Sequence, residues 1–180
     1  VHYEKKTVES RELFVENLEK CVRMAAKKMF MLSIETMDDP FINSIGKISH
    51  YKKLIKSPWL QAYPDLGNIS AWPENDISYD IEDYVQNIAA IHLKDTLPVT
   101  PTSEGKFKEV PFGTGCVDFE GCLRMLTRLN YSGSYTIEMW TGTSDNAIAE
   151  IKQAKKFFDD IFEKVGITQE PVNYLEGVKN

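Results

Sequence analysis

The sequence predicts an α/β fold built on a parallel sheet, and three observations lead there. Four short apolar runs, at residues 30–34, 59–63, 88–93 and 135–137, have the length of buried strands. Helical periodicity separates each run from the next, the pattern of successive strand–helix units. Each run also passes into a carboxylate or an imidazole. The first ends at Glu35, the second runs through Pro64 to Asp65, the third carries His92 and leads into Lys94 and Asp95, and the fourth ends at Glu138. Parallel sheets gather their chemistry at the carboxyl ends of the strands, so this chain should carry its function along one edge.

The elements follow in order. Residues 7–29 read as a helix with an apolar stripe of Leu13, Leu18, Cys21, Val22, Ala25, Ala26 and Met29, and with Lys20, Arg23, Lys27 and Lys28 turned to water. After the first strand, Pro40 ends a polar turn. Asn43 or Ser44 can cap a helix to about residue 55, whose positions Ile45, Ile48, Tyr51, Leu54 and Ile55 recur at threes and fours. Ser57-Pro58 restarts the chain into the second strand. Gly67-Asn68 reads as a tight loop suited to positive φ, and residues 70–73 as irregular loop. Ile77, Ile81, Tyr84 and Val85 mark the next helix, and residues 88–93 the third strand. Residues 95–116 form a connection far longer than usual, with Pro98, Pro101, Gly105, Pro111, Gly113 and Gly115. Its segment 110–115 is too apolar for a plain linker, which favours a functional loop. Asp118 is placed to cap a helix over 119–129, with Leu123, Leu126 and Leu129 inward. A turn at 131–134 precedes the fourth strand. The last helix covers 147–165, with a stripe of Ile148, Ile151, Ala154, Phe157, Phe158 and Ile161. Residues 167–180 have no periodicity and read as a tail behind one domain of residues 1–166. Right-handed crossovers make all four strands parallel.

Composition narrows the function. The chain has 180 residues, enough for one domain with a real core, and a formal net charge of −6, which argues against a basic nucleic-acid surface. Cys21, Cys116 and Cys122 are odd in number and lack zinc-finger spacing, so a reducing, cytoplasmic setting is expected. No run approaches the 18 or more apolar residues of a membrane span. The chain starts at Val1 in polar sequence without an apolar signal region, consistent with processing or with a cut from something longer.

Each of the four strand-end residues has an ordinary structural reading. Glu35 can cap a helix or pair at the surface, Asp65 can brace a turn, and His92 can be a hydrogen-bonded core histidine. Glu138 lies between Ile137 and Met139-Trp140, and a carboxylate so enclosed has to be paired or metal-bound. Four such groups at four successive strand ends point to a shared site. Three carboxylates and one imidazole suit a single divalent ion, Mn²⁺, Mg²⁺, Co²⁺ or Zn²⁺, without choosing among them. Such an ion acts as a Lewis acid on a carbonyl and its neighbouring hydroxyl. Lys94 can either add positive charge for an anionic substrate or pair with Asp95 or another carboxylate. Asn68 and Trp140 are candidate pocket walls. Gly113 and Gly115 have the form of a loop clamp, although a lone Gly-x-Gly is weak evidence of phosphate binding.

These residues sit in stretches with a specific likeness. They are Ile34-Glu35-Thr36-Met37-Asp38 with Asn43-Ser44-Ile45, the run from Tyr63 to Trp72, His92-Leu93-Lys94-Asp95-Thr96, Val110-Pro111-Phe112-Gly113 with Gly115, Val117-Asp118-Phe119, and Ile137-Glu138-Met139-Trp140. From its first residue to about Gly166 the chain resembles the carboxyl-terminal half of the L-ribulose-5-phosphate 3-epimerases. These are also called L-xylulose-5-phosphate 3-epimerases, are often labelled hexulose-6-phosphate isomerase, and belong to L-ascorbate and L-xylulose degradation. The resemblance implies a partial TIM barrel, the last four βα units of a xylose-isomerase-like (β/α)₈ barrel. It implies one divalent ion on Glu35, Asp65, His92 and Glu138, proton transfer by Glu35 and Glu138, and a sugar-phosphate substrate, for which Asn68, Lys94 and Trp140 are the candidate contacts. The implied reaction is C3 epimerisation of L-ribulose 5-phosphate and L-xylulose 5-phosphate through an ene-diolate. An aldose–ketose isomerase and an inactive metal-binding remnant are the alternatives. Full barrels of this kind take about 250 residues. The absent half leaves two strand edges and one barrel face open, so self-association through that face is expected.

Overall fold

The computed structural model describes residues 5–142 and 144–168. Helix α1, Val8–Lys28, opens with a capping box in which Thr7 and Ser10 satisfy each other's backbone N–H, and it ends at Met29 in the left-handed region. Strand β1, Leu32–Glu35, begins two residues later than its apolar run, because Phe30 and Met31 have no strand partner and stay exposed. Helix α2, Ile45–Ile55, is capped by Ser44. Its first N–H groups, at Ile45 and Gly46, also donate to the carboxylate of Asp80 from a later helix.

Strand β2, Leu60–Tyr63, is followed by the short helix α3, Leu66–Ser70, where the sequence suggested a tight loop. Asp65 caps it, and Gly67 is helical rather than at positive φ. Helix α4, Ile77–Tyr84, passes through a 3₁₀ turn, Val85–Asn87, into strand β3, Ala90–Leu93. Helix α5, Phe119–Arg128, takes its cap from Asp118 as expected. Strand β4, Ser134–Ile137, and helix α6, Ala147–Val165, complete the order. The expected tail lies outside the described residues except for Ile167 and Thr168. None of the three cysteines forms a disulfide. Among the described residues no helix is long and apolar enough to cross a membrane.

The pairings among the four strands are parallel. Leu32 to Glu35 lie opposite Leu60 to Tyr63, and Ala90 to Leu93 lie opposite Ser134 to Ile137. Single bridges from Ala62 to Ile88 and from Asp65 to His92 join the two pairs, so the strand order is β1-β2-β3-β4. Successive residues of a strand face opposite ways. One face carries Leu60, Ala62, Ile91 and Leu93, all fully buried with Ile45, Ile48, Leu66, Ile69, Leu123, Leu126 and Phe158 from the helices. Edge-to-face rings of Phe112, Phe119 and Phe158, with centroids 4.8–5.9 Å apart, lock the start of α5 to α6. The other face carries Ser33, Gln61, Tyr63, Ser134 and Thr136 and is open. It is polar rather than apolar. Exposed apolar side chains instead flank the sheet's two outer edges, Phe30 and Met31 before β1 and Ile148 and Ile151 on α6 beside β4.

The helix stripes are narrower than the periodicity suggests. In α1 only Val22 and Ala25 are fully enclosed, while Leu13, Cys21 and Met29 are exposed. In α6 Ile148 and Ile151 are exposed, and Ala154, Phe158, Phe162 and Val165 are buried. Both helices flank an outer strand and so have a neighbour on one side only.

Candidate metal centre at the strand ends

The backbone at each strand end fixes one side chain of the site. Glu35 is the last residue of β1. Asp65 follows β2, where its N–H takes a hydrogen bond to Thr36 Oγ1 at 2.8 Å and its Oδ1 accepts the Asn68 N–H at 2.7 Å as the cap of α3. His92 donates its backbone N–H to Pro64 O at 2.9 Å, and Glu138 donates its own to Leu93 O at 3.0 Å. Helix α3 lies against the end of β3 because position 67 is glycine. A Cβ there would sit 2.5 Å from Lys94 O and 2.9 Å from Thr96 Cγ2. The Thr96 hydroxyl then donates to Gly67 O at 2.9 Å.

The four side chains converge. Glu35, Asp65, His92 and Glu138 each offer one ligand atom, and these atoms lie within 4.8 Å of one another. His92 Nδ1 is 2.7 Å from Glu35 Oε1 and 3.1 Å from Glu138 Oε2. Lys94 Nζ lies 3.1 Å from Asp65 Oδ2 and 3.3 Å from Glu138 Oε1. Asp65 is wholly buried, His92 and Glu138 are partly open, and Glu35 is the most accessible of the four. The cluster is therefore dry at Asp65 and opens toward Glu35.

Electrostatics follow from that gradient. Burial pushes the Asp65 carboxyl well above the usual range, and the Lys94 ammonium pulls it back only in part. For His92 burial acts downward, but the hydrogen bond and charge of Glu35, with Glu138 and Asp65 behind it, outweigh burial and raise its pKa. Lys94 is also raised: desolvation acts downward, and Asp65 and Glu138 overcome it.

The residues fit a divalent ion. Asp65 Oδ2 is buried and, although an ammonium stands beside it, accepts no properly oriented hydrogen bond. Leaving such an atom unsatisfied is costly unless a ligand takes it up. Three carboxylates around one imidazole are also a donor set for hard to borderline ions. Glu35, Asp65, His92 and Glu138 would hold the ion.

The other named residues fall around this centre. Lys94 stands inside the cluster, between two of its carboxylates. Asn68 is buried under α3, where its Nδ2 donates to Thr36 O at 2.8 Å and its Oδ1 has no partner. Trp140 is half exposed beneath the Lys108 ammonium, which lies 4.2 Å from its ring centroid. Lys94, Glu138 and Trp140 line a cavity of about 880 Å³ that runs between residues 106–112 and α6. Three contributors escaped sequence reasoning. Thr36 and Thr96 act through single hydroxyls. Tyr63 lies tilted over His92 with centroids 4.2 Å apart and donates its hydroxyl to Thr136 Oγ1 at 2.8 Å. Its place at the end of the second apolar run was the one available signal.

Comparison with known proteins places the fold. The family model described as xylose isomerase-like TIM barrel matches residues 1–161. The chain is 45% identical over 167 residues to a Haemophilus influenzae protein provisionally named L-ribulose-5-phosphate 3-epimerase SgbU, covering 93% of this chain and 58% of that one. It is 39% identical over 169 residues to L-ribulose-5-phosphate 3-epimerase UlaE of Escherichia coli O157:H7, covering 94% of this chain and 57% of that one. The chain thus spans less than three fifths of the length of these curated relatives. A xylose isomerase-like TIM barrel protein from Mycobacterium smegmatis, solved with magnesium, superposes with a TM-score of 0.68 at 17% identity, over 93% of this chain and 55% of that one. That likeness is one of fold. With a family model over most of its length and four parallel βα units in sequence order, the chain belongs to the xylose isomerase-like TIM barrel family.

Proposed function

We propose that the chain is the metal-binding, carboxyl-terminal part of a sugar-phosphate 3-epimerase that interconverts L-ribulose 5-phosphate and L-xylulose 5-phosphate. The observation that carries this reading is the convergence of Glu35, Asp65, His92 and Glu138 within 4.8 Å, with the buried Asp65 Oδ2 met only by the Lys94 ammonium. The names of the relatives supply the substrate, and the magnesium in the related fold supports a divalent ion.

The ion, Mn²⁺, Mg²⁺, Co²⁺ or Zn²⁺, would supply Lewis-acid polarisation of the C2 carbonyl and its neighbouring hydroxyl. The chain's own residues do the rest. The carbonyl at C2 makes the C3 proton acidic. Glu35 and Glu138 stand on either side of His92, so one carboxylate takes the C3 proton and the other returns a proton to the opposite face, in either direction. Between the two transfers the negative charge rests on the ene-diolate oxygens. Lys94, lining the cavity, balances that charge or the phosphate, Trp140 packs against the sugar, and Asn68 holds the turn that carries Asp65.

The rest of the pocket wall has to come from elsewhere. The open polar face and the outer edges of β1 and β4 are where it would attach, and self-association in a cytoplasmic setting is the arrangement proposed for the chain alone. Light scattering that finds a monomer at every concentration overturns that part. The same open face favours a second reading, a metal-binding remnant that does not turn over, since proton transfer at carbon benefits from excluding water. Incubating mass-verified 180-residue chain with Mn²⁺ and labelled L-xylulose 5-phosphate decides by NMR. Inversion at C3 supports the epimerase, a moved carbonyl the aldose–ketose isomerase, and no product the remnant.

A further inference from the structure

Asp95 is buried although it begins the longest connection in the chain. Its Oδ1 accepts the N–H of Thr96 at 2.9 Å and of Val117 at 3.4 Å, and its Oδ2 accepts the N–H groups of Gly113 and Gly115, both at 2.9 Å. One carboxylate therefore ties together the two ends of residues 95–117. The Cys116 N–H, donating to Thr96 O at 2.8 Å, closes the same neck. The glycines are required by this contact. Gly113 has φ of +81°, and a Cβ on Gly115 would lie 2.1 Å from Asp95 Oδ1. Successive N–H groups in such a turn form an anion-binding concavity. Here the anion is the chain's own side chain, so the Gly-x-Gly pattern is not a phosphate site.

The clamped segment forms one wall of the cavity beside the metal centre. Lys106, Glu109, Val110, Pro111 and Phe112 line it from the loop, and Lys94, the residue before Asp95, lines its floor with Glu138. Phe112 seats the far end of the loop on Phe158 of α6, at 4.8 Å between centroids. Asp95, which also lines the cavity, thus ties this loop to the strand end that carries Lys94.

We propose that Asp95 is a positioning residue that fixes the 95–117 loop as the substrate-facing wall and thereby sets affinity for the sugar phosphate. This rests on the epimerase reading for the identity of the ligand. The test is Asp95→Asn in the 180-residue chain. Asparagine keeps the size but presents an NH₂ to N–H groups that need an acceptor. Amide exchange at Gly113, Gly115 and Val117 should rise at least about tenfold while Ile91 and Leu93 stay protected. Mn²⁺ affinity by calorimetry should be unchanged, and affinity for L-ribulose 5-phosphate in the presence of Mn²⁺ should fall by about 10–100-fold. Gly115→Ala attacks the same contact from the loop and should reproduce this pattern, with the double variant no worse than either single one. Unchanged exchange in both variants, or Mn²⁺ affinity falling in step with sugar-phosphate affinity, overturns the proposal. A wild-type chain that binds Mn²⁺ but no L-ribulose 5-phosphate removes the epimerase reading and, with it, the assigned ligand of this wall. Exchange would then still decide whether Asp95 holds the loop.

Discussion

On the helix-covered face of the sheet Leu60, Ala62, Ile91 and Leu93 of the inner strands are fully buried, whereas on the opposite face Ser33, Ser134 and Thr136 of the outer strands are exposed. Within a strand the two faces alternate, Leu60 and Ala62 buried and Gln61 and Tyr63 partly open, so one backbone carries two unlike surfaces. Burial of apolar area, the main favourable contribution to folding, lies almost wholly on the first face. The second face contributes little to that core but leads into the rim where Glu35, Asp65, His92 and Glu138 meet. Half a barrel can hold its shape in this way because its helices close a core without the missing strands. The polar strand face also limits the apolar surface that the opening leaves in water.

If stability belongs to the covered face, the largest stability effect should come from it. Leu123 is fully buried, and Leu123→Ala should cost about 2–5 kcal/mol in urea unfolding. Ser33→Ala on the open face should stay within about 0.5 kcal/mol. A similar loss from both would break the comparison. At the rim, Glu138→Gln keeps the shape and removes a charge. It should weaken Mn²⁺ binding by about 10–100-fold in calorimetry, and lower turnover by more wherever turnover is measurable, while hardly moving the unfolding midpoint. Lys94→Met removes the ammonium that pairs with Asp65 and Glu138, so it should tighten Mn²⁺ binding and weaken sugar-phosphate binding, read in the same calorimeter.

The rim also predicts a pH dependence. Asp65 and His92 are both raised in the fold, from ordinary values of 3.8 and 6.5. A raised group gives its full stability below its unfolded pKa and loses it as pH rises through its folded pKa. Both groups therefore act in the same direction, and the melting temperature of the metal-free chain should fall as pH rises from about 5 to 8. Asp65→Asn keeps the cap of α3 and should flatten that fall, as should saturating Mn²⁺ for the wild-type chain. A flat profile without metal would sever the link between burial of the cluster and its charge.

The same contrast explains what the sequence made legible. Each strand run stopped at one acid or imidazole, so all four members of the cluster could be named before the structure. The caps Ser44 and Asp118 were readable for the same local reason. Helix α3 was not, because five residues carry no periodicity and Gly67 looks like a turn. Its need for glycine comes from Lys94 O, a contact across the fold. Ile148 and Ile151 fit a helical stripe equally well as Phe158, and only the open edge beside β4 separates them. The place of Lys94 between two carboxylates was one of two readings of its charge, and local sequence had no means to tell them apart.

The smallest expected effect tests whether the open face contributes anything of its own. Tyr63 leaves the end of β2, lies over the imidazole of His92, and reaches Thr136 on β4 with its hydroxyl at 2.8 Å. That bond is exposed to solvent, so the hydroxyl of the free side chain is already well hydrated. Tyr63→Phe keeps the ring contact and should cost no more than about 0.5–1 kcal/mol, with Mn²⁺ affinity unchanged. Tyr63→Ala removes the ring as well and opens His92 to water. It should leave the buried core intact while exposing His92, which relieves the burial that opposes its charge and screens the pull of Glu35 and Glu138. Following the His92 ring protons by NMR across pH in both variants reads this directly. If Tyr63→Phe destabilises the chain as much as Leu123→Ala does, the open face is a structural layer in its own right, and the division between the two faces fails.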